Sequence, residues 1–188
     1  MLGERRKKVL ANTLTIKVDG NFMWGAKRPH CDEFLTTCFE TFDLVGVWSA
    51  GSVEYVDEIV QELFGTRWKL AFIWAKPMCV ESIVIGGTDS DPEVLKNRQK
   101  PLSKLFKEFP YIDPNRTLIF DDMIEVCQQD SLHHVHVPAF TGKYDSLHSE
   151  DDSLLRLSNW MKTQLTKFHD YKRLTLKEVV EHHVSHYE

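Results

Sequence analysis

The sequence predicts an α/β fold, a doubly wound parallel sheet with helices on both faces and a small insertion. Three observations predict it. Short apolar runs of strand length alternate with amphipathic segments of helical period along the chain. Its 188 residues suit one domain. Its 42% hydrophobic and 27% charged residues are ordinary globular values and exclude a disordered or collagen-like chain. A domain near this length buries roughly 70% of its unfolded surface, so it needs no covalent staples.

The elements follow in order. The clearest helix opens at Pro29, a favoured residue at a first helical position. Cys31, Phe34, Leu35, Cys38, Phe39 and Phe42 then share one apolar face. The run Leu44 to Trp48 has the length of a buried strand and is broken by Ser49-Ala50-Gly51-Ser52. A second helix places Val56, Ile59, Val60, Leu63 and Phe64 on one side and stops at Gly65. Leu70 to Trp74 is the next strand-length run. The stretch 76–99 reads as an irregular insertion, with one strand-like piece from Ser82 to Ile85 and an acidic turn at Asp89 to Asp91. A helix carrying Leu102, Leu105, Phe106 and Phe109 ends before Pro110, and Thr117 to Phe120 is a strand that stops at Asp121-Asp122. Val135, Val137 and Ala139 alternate with His134, His136 and Pro138 as a further strand. Leu154, Leu157, Met161, Leu165 and Phe168 mark a last long helix, and a short one follows around Leu176, Val179 and Val180. The expected organisation is one domain over 1–170, with its insertion at about 76–99 and a C-terminal helix over 171–188.

Composition narrows the partners. The 23 Lys+Arg against 28 Asp+Glu leave a net charge of −5, unlike a basic nucleic-acid binder, so no direct nucleic-acid contact is expected. No apolar run approaches the roughly 20 residues that cross a bilayer, so no membrane partner is expected. The start MLGERRKK is followed by no apolar signal segment. The four cysteines, Cys31, Cys38, Cys79 and Cys127, form no C-x-x-C pair. An intracellular location, nuclear or cytoplasmic, with reduced thiols follows as the expectation.

Two strand ends carry candidate chemistry, because sites in such sheets lie beyond the carboxyl ends of the strands. Asp121-Asp122 offers paired carboxylates, which suit a hard cation such as magnesium. Ser49 offers a small hydroxyl for a phosphate oxygen, and Lys100 a cation to balance phosphate charge. Each has a plain structural reading too: a turn or cap for Asp-Asp, a cap for the serine, a solvated lysine. Trp68 and Trp74 read as core. His133, His134 and His136 read as a loop entering a strand. His182, His183 and His186 read as a solvated terminal face, since no Glu completes an H-E-x-x-H pattern. Arg5 to Lys8 reads equally as a nuclear localisation patch or a solvated N-terminus.

The combination is more specific than its parts. Arg28-Pro29-His30-Cys31-Asp32-Glu33-Phe34-Leu35 resembles the R-P-x-x-x-E-F-L segment of the phosphatases that act on the RNA polymerase II C-terminal domain. These form the NLI-interacting-factor-like branch of the haloacid dehalogenase superfamily. Val47 to Tyr55 resembles the family's second motif, where Ser or Thr ends a strand and Tyr follows on the next helix. Lys100-Pro101-Leu102-Ser103-Lys104-Leu105 resembles the third motif with its phosphate-binding lysine. Leu118-Ile119-Phe120-Asp121-Asp122 resembles the fourth with its metal-binding aspartate. His136 to Phe140, then Asp151 to Leu155, resembles the end of that domain. The resemblance runs from about Val18 to about Lys162. It implies a haloacid-dehalogenase-like fold and a magnesium-dependent protein serine/threonine phosphatase. In that reading Ser49 and Lys100 serve phosphoryl transfer, Asp121 and Asp122 hold Mg²⁺, and the partner is a phosphorylated protein.

The first motif departs from the family. Members carry D-x-D-x-(T/V) at the end of the first strand; the first Asp forms a phospho-aspartate and the second is acid and base. No D-x-D precedes Arg28 here. One alignment takes Val9-Leu10-Ala11-Asn12-Thr13-Leu14 as a remnant with its acidic middle lost. Another places Lys17 at the nucleophile and Asp19 at the acid/base. The first is preferred, because Val18-Asp19-Gly20 resembles a turn found just before the R-P segment. In both the nucleophile is missing and the covalent route is closed. The expectation is therefore a phosphatase-like domain that is inactive. The alternative is a non-catalytic binding or scaffold module on the same fold, as in the mitochondrial import translocase relative.

Overall fold

In a computed structural model of the chain, residues 13–88, 91–140 and 151–165 are described. Strands β1 (Thr13–Val18) and β2 (Asn21–Ala26) form an antiparallel hairpin. Its two-residue turn, Asp19-Gly20, has φ of 49° and 79°. Asp-Gly suits this, since a hairpin turn matching the strand twist needs positive φ at both positions. Leu14, Ile16 and Val18 face inward, and Ile16 and Val18 are buried. The opposite face leaves Phe22 and Trp24 each 76% exposed.

Helix α1 (Cys31–Thr41) follows, started by His30 rather than by Pro29. Strand β3 (Val47–Trp48) leads into α2 (Val53–Phe64), which Ser52 caps by accepting from Tyr55 N–H and Gly65 closes. Strand β4 (Ile73–Trp74) pairs parallel to β3. The insertion is more regular than its sequence predicts. It is an antiparallel hairpin of β5 (Val80–Thr88) and β6 (Asp91–Gln99). Polar β6 lacks an apolar period, so only pairing with β5 makes it a strand. Helix α3 (Leu102–Glu108) comes next, then β7 (Ile119–Asp121) and β8 (His134–His136), again a parallel pair. Short helical turns from Ile124 to His133 link them. Helix α4 (Ser153–Trp160) continues as a wider π-type turn through Leu165. Phe168 and the C-terminal helix and histidines lie outside the described residues, as do the basic patch 5–8 and the segment 9–12.

The α/β class and the parallel strands are as the sequence predicts. Among the described residues the strands assemble as two parallel pairs, β3–β4 and β7–β8, and two hairpins. Each parallel pair has its own core. Around β7–β8 lie Cys38, Val135, Leu154, Leu157, Trp160, Met161 and Leu165, with Phe34, Phe42, Leu118 and Phe120 against them. Around β3–β4 lie Trp74, Leu102 and Leu105, with Trp48, Phe72, Phe106 and Phe109. Trp74 is core as expected. Trp68 stacks on Phe39 at 5.5 Å and so joins the helix α1 to the end of α2.

Gly46 sits where β3 crosses the second core. A Cβ there would fall 2.3 Å from the Phe72 ring, which itself stacks on Phe109 at 5.5 Å. The ring cannot move without breaking that stack. Gly46→Ala is therefore expected to lose about 1–3 kcal/mol, a typical overpacking cost, measured by urea unfolding. All four cysteines are free. Burial pushes the Cys38 and Cys127 thiols up to about 12. Native protein treated with iodoacetamide near pH 8 should leave both unmodified, because the thiolate is the reactive form; mass mapping of labelled peptides checks this.

Candidate functional site

The site is built at the carboxyl end of β7. Ile119, Phe120 and Asp121 pair with His134, Val135 and His136. Parallel pairing turns the Asp121 carbonyl toward β8, where it accepts from Val137 N–H at 3.0 Å. The buried His134 ring places Nε2 2.9 Å from the same oxygen. Backbone bonds on this side fix the Cα of Asp121, and so the direction of its carboxylate.

Lys100 meets that carboxylate. Its backbone N–H donates to Val126 O at 2.9 Å. Leu102 and Leu105 are anchored in the second core, and Leu102 N–H donates to Asp130 Oδ2 at 2.8 Å. The start of α3 is thus pinned, and Lys100, just ahead of it, turns inward. Nζ donates to Asp121 Oδ2 at 2.5 Å, with side chains only 9% and 10% exposed. The other carboxylate oxygen, Oδ1, accepts from Met123 N–H at 2.9 Å. Cys127 lies beside both charges; burial first, and the Asp121 charge second, keep its thiol protonated.

The remaining candidates are placed differently. Asp122 is exposed. Ser49 ends β3, where its N–H donates to Trp74 O at 2.8 Å. Its hydroxyl oxygen accepts from Gly51 N–H at 3.1 Å, and its carbonyl accepts from the Cys79 thiol at 3.7 Å. These are the bonds of a turn, and none reaches Lys100 or Asp121. So the structure joins Lys100 to Asp121 directly, and holds Ser49 by its own loop.

The N-terminal residues are also settled in place. Lys17 lies over the Phe22 ring at 5.9 Å. Asp19 occupies the hairpin turn, and its proximity raises the Glu54 carboxyl. The hairpin packs on α2. This matches the reading of Val18-Asp19-Gly20 as a turn.

A clasp beside the site was only half legible. Arg28 Nε donates to Asp151 Oδ2 at 2.9 Å, and its Nη1 donates to Pro138 O at 2.6 Å. The guanidinium also lies over Phe140 at 5.6 Å. Both side chains of the ion pair are 13% exposed. Sequence reasoning found Arg28 in its motif but not its partner 123 residues away. The available signal was Asp151-Asp152 before an apolar helical run, a cap pattern. Asp151 accepts from Ser153 N–H at 3.0 Å, while Asp152 holds the N-cap position without a side-chain cap bond. The buried His134 was likewise read only as a strand position. A cavity of about 300 Å³ opens between clasp and ion pair, lined by Arg28, Phe34, Phe120, Asp121, Asp122 and Pro138 among others.

Magnesium needs several oxygen ligands at about 2.0–2.1 Å in near-octahedral array. Asp121 already gives one carboxylate oxygen to an ammonium and the other to an amide. Among the described residues no group of three or more His, Cys, Asp or Glu side chains is arranged to hold a metal ion.

The described residues thus form an α/β domain in which a hydroxyl closes one parallel strand pair and an Asp-Asp closes the other. A family model described as NLI interacting factor-like phosphatase matches residues 4–172, and the chain belongs to that family. It is similar to ubiquitin-like domain-containing CTD phosphatase 1. Identity is 26% with the Danio rerio protein and 24% with the Homo sapiens protein, over 154 residues in each case. Those matches cover 80% of this chain but 45% of the relatives, so the chain spans less than half their length. A solved structure of fission yeast RNA polymerase II CTD phosphatase Fcp1 bound to beryllium fluoride is similar over 88% of this chain and 45% of that one. Its identity is 18% and its TM-score 0.47. Among the described residues no helix is long and apolar enough to cross a membrane.

The clasp has a pH signature. Burial pushes the Asp151 carboxyl up, but the Arg28 guanidinium and the Ser153 amide outweigh it and hold it below the usual value. A lowered carboxylate stabilises the fold above its unfolded pKa, and that stability is lost as pH falls through the folded value. Asp151→Asn should cost about 1–3 kcal/mol at neutral pH. The gap to wild type should close below about pH 4, where urea unfolding curves of the two proteins converge.

Proposed function

We propose that this domain is an NLI interacting factor-like phosphatase module that does not turn over phosphate and instead binds a phosphorylated protein or another protein partner. The carrying observation is that the sequence ahead of Arg28 holds no D-x-D. Among the described residues of that segment, Lys17 lies over Phe22 and Asp19 lies in the hairpin turn. The family reaction needs an aspartate that attacks phosphorus and a second that protonates the leaving oxygen. A lysine cannot form the acyl phosphate, and the Ser49 hydroxyl accepts from the Gly51 amide, with no base bonded to it among the described residues.

The surviving groups favour holding over turnover. Ser49 and Lys100 occupy the family's second- and third-motif places, where hydroxyl and ammonium bind phosphate oxygens. The family's magnesium would be held by Asp121 and Asp122; the bonds already made by Asp121 count against that. A protein partner is supported by the relatives, whose names describe phosphatases of a polypeptide domain. The exposed Phe22 and Trp24 support it as well, since large apolar groups sharing one exposed strand face commonly mark contact surfaces.

Hydrolysis of an aryl phosphate and of a phosphoserine peptide, with magnesium present, tests the proposal. The expected rate equals the buffer blank for wild type and for Asp121→Asn alike. Turnover in wild type that disappears in Asp121→Asn would overturn it.

A further inference from the structure

We infer that the Lys100 ammonium is the permanent counter-ion of Asp121 in this chain, so that the domain folds and stands without a divalent cation at its family metal position. The inference extends the reading of a module without turnover, but rests on separate observations.

The first is occupancy. Asp121 Oδ2 takes Lys100 Nζ at 2.5 Å and Oδ1 takes Met123 N–H at 2.9 Å. The carbonyl of the same residue takes Val137 N–H and faces His134 Nε2. A metal ion on this carboxylate would stand beside the buried Lys100 ammonium, two cations against one carboxylate. The second is the ligand set. Among the described residues no three His, Cys, Asp or Glu side chains gather to hold a metal ion, and Asp130 is engaged by Leu102 N–H. The third is anchoring. Lys100 is not a long side chain free to swing away. Its own amide is bonded to Val126 O, and Leu102 behind it is buried in the second core. Asp121 in turn follows Phe120, which packs on the first core. The ion pair therefore ties one core to the other. Breaking such a pair leaves a lone buried charge, which is costly, whereas removing both charges together is much less so.

Thermal unfolding of the wild-type chain, with millimolar magnesium chloride or with potassium chloride of equal ionic strength, tests this. The expected midpoints coincide. Lys100→Met and Asp121→Asn should each unfold roughly 10 °C lower. The double variant Lys100→Met/Asp121→Asn should regain most of that loss. A wild-type midpoint raised several degrees by magnesium alone, with no hydrolysis in the same buffer, would overturn the inference while leaving the proposed function standing. Hydrolysis without any magnesium shift would do the reverse. A double variant no more stable than the sum of its singles would also overturn the inference, by showing that the two charges do not depend on each other.

Discussion

The Lys100–Asp121 ion pair is the constraint on which the rest of the site depends. Both charges are almost wholly out of water, and neither belongs to the same element as the other. Isolated, either would be expensive to bury. Together they sit between two apolar clusters that share no buried residue, one around each parallel strand pair. The hydrogen bonds around them follow from this. The amide of Met123, the ring of His134 and the carbonyl of Val126 each hold one of the two residues in the position that the pair requires.

A second electrostatic tie works at longer range. Arg28 lies just ahead of α1 and Asp151 just ahead of α4, and these helices pack on each other over the first core. The guanidinium serves a carboxylate, a carbonyl and an aromatic face at once, which a lysine could not do with its single ammonium. This explains why an Arg-Pro start and a distant Asp-Asp start behave as one unit. It also frames the cavity beside Asp121.

Much of this was legible in the sequence. The face made by Cys31, Phe34, Leu35 and Cys38 gives α1, and Ser52 and Gly65 bracket α2, because helical period and caps are local properties. The strand ends Ser49 and Asp121 were placed from short apolar runs. Boundaries were not: β3 and β4 are two residues each, because a strand extends only as far as its neighbour pairs. The β5–β6 hairpin was read as irregular for the same reason. Its second strand, rich in charged residues, is defined by its partner and not by its own period. The ion pairs were illegible because sequence spacing does not say which charges meet. Lys100 and Asp121 were both chosen, but for a phosphate and a metal respectively, not for one another. His134 was missed because a buried histidine inside a strand has no mark in the residue order.

In the proposed reading, Asp121 of this phosphatase-family domain is answered by Lys100 instead of by a metal ion. A crystal structure grown in millimolar manganese chloride tests that most directly, because manganese takes magnesium's oxygen ligands and scatters anomalously. The account predicts no anomalous peak at Asp121 and the Lys100 ammonium still on Oδ2. A peak bound to the Asp121 carboxylate, with Lys100 turned away from it, would contradict it.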